Sequence, residues 1–200
     1  MKKPLITIGI TSYNSQRTII RAINSALSQT WRPIEIIVVD DCSSDNSYLM
    51  LKGLESENSV ISLFQNSINK GVAYSRNKII NNAKGEFLAF FDDDDFSLKE
   101  RLRLQYQKIL LHERIYNTKL IACYASGFRI YPNGYIKIFN AVGSSDKPIV
   151  GKEMVDFLLY GKKNKLLLNG SGTPTCSFMS RKEIFKIVGK FDDNLSRQED

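Results

Sequence analysis

Short β-branched runs alternate with segments of helical period through the first hundred residues, and this rhythm limits the chain to few folds. Residues 5–10 and 34–39 are apolar and rich in Ile and Val, the pattern of strands buried on both faces. Between them Ile19, Ile20, Ile23, Ala26 and Leu27 keep helical spacing. Turn and N-cap chemistry at Tyr13, Asn14 and Ser15 opens that helix, and Thr30 and Pro33 mark its end. Ser43, Ser44, Asp45 and Asn46 predict a cap for a second helix over 47–57, and 60–64 reads as a third strand. A third helix runs from after Gly71 to about Ala83 and is stopped by Gly85; residues 86–91 are the fourth strand. Strands separated by helices imply parallel pairing with right-handed crossovers, hence a doubly wound α/β layer structure.

The rhythm then changes. An amphipathic helix is expected over 98–115, with Leu98, Leu102, Tyr106, Ile109 and Leu110 on one face. Residues 120–130 and 135–139 flank Tyr131, Pro132, Asn133 and Gly134, a hairpin signal, so the second half adds antiparallel strands. Residues 152–159 read as helix, 162–165 as a basic loop, 173–179 as a strand and 181–188 as a helix. With 200 residues and 42% hydrophobic content, one domain with a real core is expected.

Two acidic strings end two of the apolar runs: Asp40 and Asp41 after the second strand, and Asp92, Asp93, Asp94 and Asp95 after the fourth. Four consecutive carboxylates repel one another, and a cation or ligand donors offset that charge most readily. A single such string is commonly a solvated turn. Two in equivalent positions, at the strand ends where open α/β sheets bind ligands, point to a site. The net charge of +7 makes an anionic partner such as nucleotide phosphates plausible. Cys42, Cys123 and Cys176 lack metal-ligand spacing, and the single His112 completes no zinc site with them, so they read as reduced thiols in a cytoplasmic protein. No apolar stretch reaches the length of a membrane span.

Four motifs in order are residues 8–14 (Ile-Gly-Ile-Thr-Ser-Tyr-Asn), 37–45, 69–77 and 85–95, and together they resemble the family 2 glycosyltransferases of the GT-A fold. The likeness covers 4–100 and resumes at Gly189, Lys190, Phe191, Asp192 and at Gln198, Glu199, Asp200. It implies a Rossmann-like, mainly parallel mixed sheet flanked by helices with a small antiparallel addition. It also implies one domain, with a nucleotide-binding half over 1–114 and an acceptor-binding half over 115–200 that continues past Asp200 in relatives.

The resemblance further implies inverting transfer from a UDP-sugar to a glycan or lipid-linked acceptor in cell-surface polysaccharide synthesis. Thr11, Tyr13, Asp41, Arg76 and Asp93 would bind the nucleotide, Tyr13 stacking on the base and Asp41 accepting from its ring N–H. Asp94 would hold Mn²⁺ or Mg²⁺ directly and Asp92 would support it, while Asp200 would be the catalytic base. The expected place is the cytoplasm at the inner membrane face, with peripheral association through chain beyond residue 200. The competing enzyme, a sugar-phosphate nucleotidyltransferase, needs a glycine-rich loop after the first strand, where residues 9–21 have only Gly9. A basic nucleic-acid-binding module is disfavoured by the acidic strand ends, so no nucleic-acid partner is expected.

Overall fold

The structure is a computed structural model that describes residues 2–142, 151–160, 162 and 173–195. Strands β1 (Ile6–Ser12), β2 (Ile34–Asp40), β3 (Ile61–Gln65) and β4 (Phe87–Asp92) pair in parallel in the order β3-β2-β1-β4. The helices between them are α1 (Ile19–Leu27), α2 (Ser47–Glu57) and α3 (Val72–Asn82). After α4 (Arg101–Tyr116) come β5 (Ala122–Tyr124), β6 (Gly127–Ile130), β7 (Ile136–Phe139) and α5 (Lys152–Tyr160). A short 3₁₀ turn (Thr175–Ser177) leads to β8 (Phe178–Arg181) and then α6 (Ile184–Ile187). The mixed, mainly parallel sheet expected from the sequence is what forms. β8 lies antiparallel beside β4, β5 antiparallel beside β8, and β6 and β7 make a separate two-stranded sheet.

Side-chain alternation along buried strands builds the core on both faces. Ile6, Ile8, Ile10, Ile36, Val38, Phe87 and Phe91 pack with Ile19, Ile23, Leu51, Leu102 and Ile109 from α1, α2 and α4. Ile37, Val39, Leu88 and Phe90 point the other way, onto Ile79 and Ile80 of α3. β1 and β4 run parallel, and the strand order reverses between them, with β2 and β3 on the far side of β1, so the carboxyl ends of these neighbours flank the crevice where such sheets bind ligands. Thr11 is in register with Asp92 across that boundary.

Several sequence expectations need correction. Residues 120–130 are not one strand: the chain leaves the main sheet after Tyr124, where the Ala125 N–H donates to Ser177 O (3.0 Å), and β6 belongs to the hairpin. The strand expected over 173–179 starts at Phe178 and runs to Arg181, which the sequence placed in a helix; that helix covers only Ile184–Ile187. A strand can end on this arginine because it forks onto Glu113 of α4 (Nη2 to Oε2 2.9 Å) and also pairs with Glu86. Leu98 lies before α4 and is exposed, whereas Leu102 and Ile109 carry the buried face. The basic loop over 162–165 lies, apart from Lys162, outside the described residues.

Gly85 lets the chain turn into β4 against β1. A Cβ there would lie 2.5 Å from Thr7 N and 2.7 Å from Phe87 O, backbone atoms that cannot rotate aside. Gly85→Ala is therefore expected to cost about 2–3 kcal/mol and to lower the melting temperature by roughly 5–10 °C in a thermal scan. An unchanged melting temperature would show that β1 and β4 yield easily here.

Candidate active site

The β1–α1 loop, the Asp40–Asp41 pair, the start of α3 and the Asp92 to Asp95 run meet above the carboxyl ends of β1, β2 and β4. Asp40, fully buried, ties the end of β2 to the loop after it: its Oδ2 accepts from Ser43 N (3.1 Å) and Gln65 Nε2 (3.2 Å). Its Oδ1 is buried and unpartnered among the described residues. Asp45, within the four residues expected to cap α2, accepts from the Ser47 N–H (2.9 Å) and hydroxyl (2.5 Å), whereas the Asn46 side chain makes no cap bond.

Asp41 is the anchor of the α3 entry. Its Oδ1 accepts from Asn66 Nδ2 (2.8 Å) and Lys70 N (2.8 Å), and its Oδ2 accepts from Gly71 N (2.7 Å). Gly71 sits at φ 87°, a left-handed conformation that suits glycine. An ionised carboxylate has about four acceptor positions, so one on Oδ2 is left for a ligand N–H. Tyr13 follows Ser12, whose carbonyl accepts from the Asp41 N–H (2.8 Å); Tyr13 is 51% exposed, and its N–H donates to Asp93 Oδ2 (3.1 Å). A flat face and an acceptor thus lie on neighbouring strand ends, the arrangement a nucleobase needs.

The acidic run divides by orientation. Asp93 turns toward the β1–α1 loop, where burial pushes its carboxyl up against the opposing Tyr13 N–H and Ser15 hydroxyl. Asp94 is exposed, and its backbone carbonyl accepts from the Arg21 guanidinium. Ligand atoms of Asp92, Asp95 and Cys176 lie within 4.8 Å of one another. Asp95 and Cys176 are members that the sequence reading did not assign; Asp95 belongs to the same run, whereas Cys176 is 81 residues further on and no spacing links it. Burial pushes the Cys176 thiol up, and the nearby Asp92 and Asp95 raise it further, so it stays protonated.

Two arginines flank this cluster, one buried and one half-buried. Arg76, on α3, is 7% exposed and stacks over the Phe191 ring at 5.3 Å, with Asp92 in its electrostatic reach. The surface position that an arginine on a helix ordinarily takes does not apply to it. Arg101, which the sequence reading missed, donates to Phe90 O (2.9 Å), Ser97 Oγ (2.9 Å) and Gln105 Oε1 (3.0 Å) and lies over the Phe91 ring at 4.2 Å. Burial lowers its guanidinium to about 10, still cationic at neutral pH behind Asp92 and Asp95. The segment around Phe191 is clamped to α3: Asn77 Nδ2 donates to Phe191 O (2.8 Å) and Phe191 N to Asn77 Oδ1 (3.1 Å). Asp200, with Gln198 and Glu199, lies outside the described residues.

Burial pushes Asp92 up from 3.8 to about 6, against the attraction of Arg76 and with Asp95, Asp94 and Asp93 adding repulsion. A carboxyl with that value is mainly protonated at pH 5 and mainly ionised at pH 7, and only the ionised form attracts a cation. Mn²⁺ affinity measured by calorimetry is therefore expected to rise about tenfold between pH 5 and pH 7, and this part of the rise should vanish in Asp92→Asn. Equal affinity at both pH values in the unaltered protein would contradict it. In the cation-free protein the same group works in the opposite sense. Its folded value exceeds its unfolded one, so its stabilisation is full below 3.8 and is lost as pH rises through 6.

Comparison with known proteins gives a consistent result. The profile described as Glycosyl transferase family 2 matches residues 7–187. An Escherichia coli relative, UDP-Glc:alpha-D-GlcNAc-diphosphoundecaprenol beta-1,3-glucosyltransferase WfgD, is 41% identical over 106 residues, covering 53% of this chain and 41% of its own. The Bacillus subtilis putative teichuronic acid biosynthesis glycosyltransferase TuaG is 35% identical over 105 residues, 52% of this chain and 42% of its own. These matches span about two-fifths of the length of the curated relatives. Among solved structures, Staphylococcus aureus TarS 1-349 in complex with UDP-GlcNAc superposes with TM-score 0.63 at 21% identity, over 98% of this chain and 50% of that one. Mannosyltransferase PcManGT from Pyrobaculum calidifontis, with GDP-Man and Mn²⁺, gives 0.66 at 15%, over 97% and 49%. Both likenesses speak for the GT-A fold. No described helix is long and apolar enough to cross a membrane.

Proposed function

The chain belongs to glycosyl transferase family 2, and from that premise we propose that it moves a sugar, with inversion, from a UDP-sugar to a glycan or lipid-linked acceptor in cell-surface polysaccharide assembly. The observation that carries the donor assignment is the remaining acceptor position on Asp41 beside the exposed Tyr13 ring. Uracil offers a ring N–H to such a carboxylate and a face to stack, whereas the adenine Watson–Crick edge presents an acceptor at the equivalent ring nitrogen. Thr11 closes the strand-end side of the base pocket, Asp93 lies toward the ribose, and Arg76 sets positive charge near the phosphates. The name of the Escherichia coli relative contains both UDP-Glc and a diphosphoundecaprenol acceptor, in keeping with this reading. Such donors and acceptors meet at the cytoplasmic face of a membrane.

The residues present fit a hard divalent cation. Asp92 and Asp95 converge, Asp94 stands free beside them, and the Cys176 thiol is held protonated, which leaves an oxygen donor set suited to Mn²⁺ or Mg²⁺. Asp94 is assigned as the direct ligand and Asp92 as its support. Bound there, the cation offsets the charge that the departing diphosphate develops. Asp200 takes the proton from the acceptor hydroxyl on the side opposite the leaving group, which is what inversion requires.

Base selectivity tests the reading. Calorimetry should show UDP binding at least about tenfold more tightly than ADP, and Asp41→Ala should weaken UDP by roughly ten- to a hundredfold, the loss of a hydrogen bond to a charged group. ADP binding as tightly as UDP would remove the uracil assignment.

A further inference from the structure

The hairpin of β6 and β7 has two chemically different faces. Its register pairs Phe128 with Ile138 and Ile130 with Ile136, so four apolar side chains share one face. All four are exposed, Ile138 by 73% and Ile130 by 64%, values that an antiparallel sheet avoids on an apolar face unless something covers it. The opposite face carries Arg129 paired with Lys137, both cations lying over the Phe139 ring at 5.7 and 5.2 Å. Tyr131 and Tyr135 pack at a tilt beside the turn, their ring centroids 5.6 Å apart. From 117 to 142 the basic residues are Lys119, Arg129 and Lys137 and none is acidic; Lys119 pairs with Glu113 of α4 (2.8 Å), so the cations of the hairpin itself are Arg129 and Lys137.

We propose that this hairpin is a membrane-surface anchor that lays Phe128, Ile130, Ile136 and Ile138 into an anionic bilayer while the surrounding basic residues attract its headgroups. Apolar side chains in one plane, interfacial tyrosines and an excess of basic over acidic residues are what an interfacial element requires. Arg129 and Lys137 sit one strand thickness from the apolar face, within a Debye length of the surface, where each adds to the attraction. The covering partner is anionic lipid rather than a second copy of the chain, because two such hairpins face to face would bring their basic surroundings together.

The chain enters the hairpin next to the candidate site. Just before β6 the Ala125 N–H donates to Ser177 O (3.0 Å), and Ser177 adjoins Cys176 of the acidic cluster. A bilayer docked here would present a lipid-linked acceptor beside the donor, so the inference rests on the lipid-linked branch of the proposed function. It places an anchor inside the described chain.

Sedimentation of the 200-residue protein with vesicles tests it. The protein is expected to pellet with phosphatidylcholine vesicles containing 30% phosphatidylglycerol and to be released by 0.5 M NaCl. The double variant I130D/I138D should partition at least about tenfold more weakly, and R129E/K137E should lose a similar factor. UDP affinity should stay unchanged in both, which verifies folding independently of lipid. The inference is overturned if the unaltered protein ignores these vesicles, if neither variant changes partitioning, or if I130D/I138D instead dissociates a dimer in analytical ultracentrifugation and leaves vesicle binding intact. Failure to bind UDP would count against the proposed function and not against the anchor.

Discussion

Asp200→Asn is expected to lower sugar transfer by about 10²- to 10⁴-fold while leaving UDP and Mn²⁺ affinity within twofold. Inversion in a single displacement needs a base on the acceptor side, and asparagine keeps the shape of aspartate but cannot take the proton. The proposed nucleotide contacts come from the ends of β1, β2 and β4, so binding is not expected to depend on residue 200. The chain reaches that residue from a fixed point: Asn77 on α3 holds both the N–H and the carbonyl of Phe191, whose ring packs on Phe90 at 5.7 Å. Steady-state transfer assays with binding measured in parallel check the split. Transfer at the unaltered rate in Asp200→Asn would assign the base elsewhere, and a matching loss of UDP affinity would mean that the residue acts through folding.

Asp94→Ala is expected to abolish the Mn²⁺ dependence of UDP binding and to reduce transfer by about a hundred- to a thousandfold. The Asp94 side chain is exposed, whereas Asp92 is partly buried and Asp93 is turned toward the β1–α1 loop. Truncating an exposed side chain leaves the fold intact, so the effect should appear in cation binding without a fall in melting temperature. The convergence of Asp92 and Asp95 beside Cys176 supplies the competing register. If Asp94→Ala retains the cation effect and Asp95→Ala removes it, the direct ligand lies one residue further along.

The first four strands and three helices were legible because their burial pattern is local. Ile6, Ile8 and Ile10 face one layer, Ile37 and Val39 the other, and α2 occupies the span expected for it, Ser47–Glu57. Legibility falls where a partner distant in sequence decides the structure. Arg181 ends a strand only because Glu113 and Glu86 pair with it, and residues 120–130 divide only because β8 captures one part and β7 the other. The same holds in the site. Asp41 and the Asp92 to Asp95 run declare themselves as strings of charge, but Cys176 joins them through the 3₁₀ turn before β8, and Arg101 looks like any charged residue of a surface helix until α4 buries it against Phe91.

The central claim is tested most directly by following UDP release from a panel of UDP-sugars with a panel of glycan and lipid-linked acceptors, with Mn²⁺ and with excess chelator. The account predicts turnover with at least one UDP-sugar that requires both acceptor and cation and yields a product of inverted anomeric configuration. Product with retained configuration, or equal turnover in chelator, would contradict it.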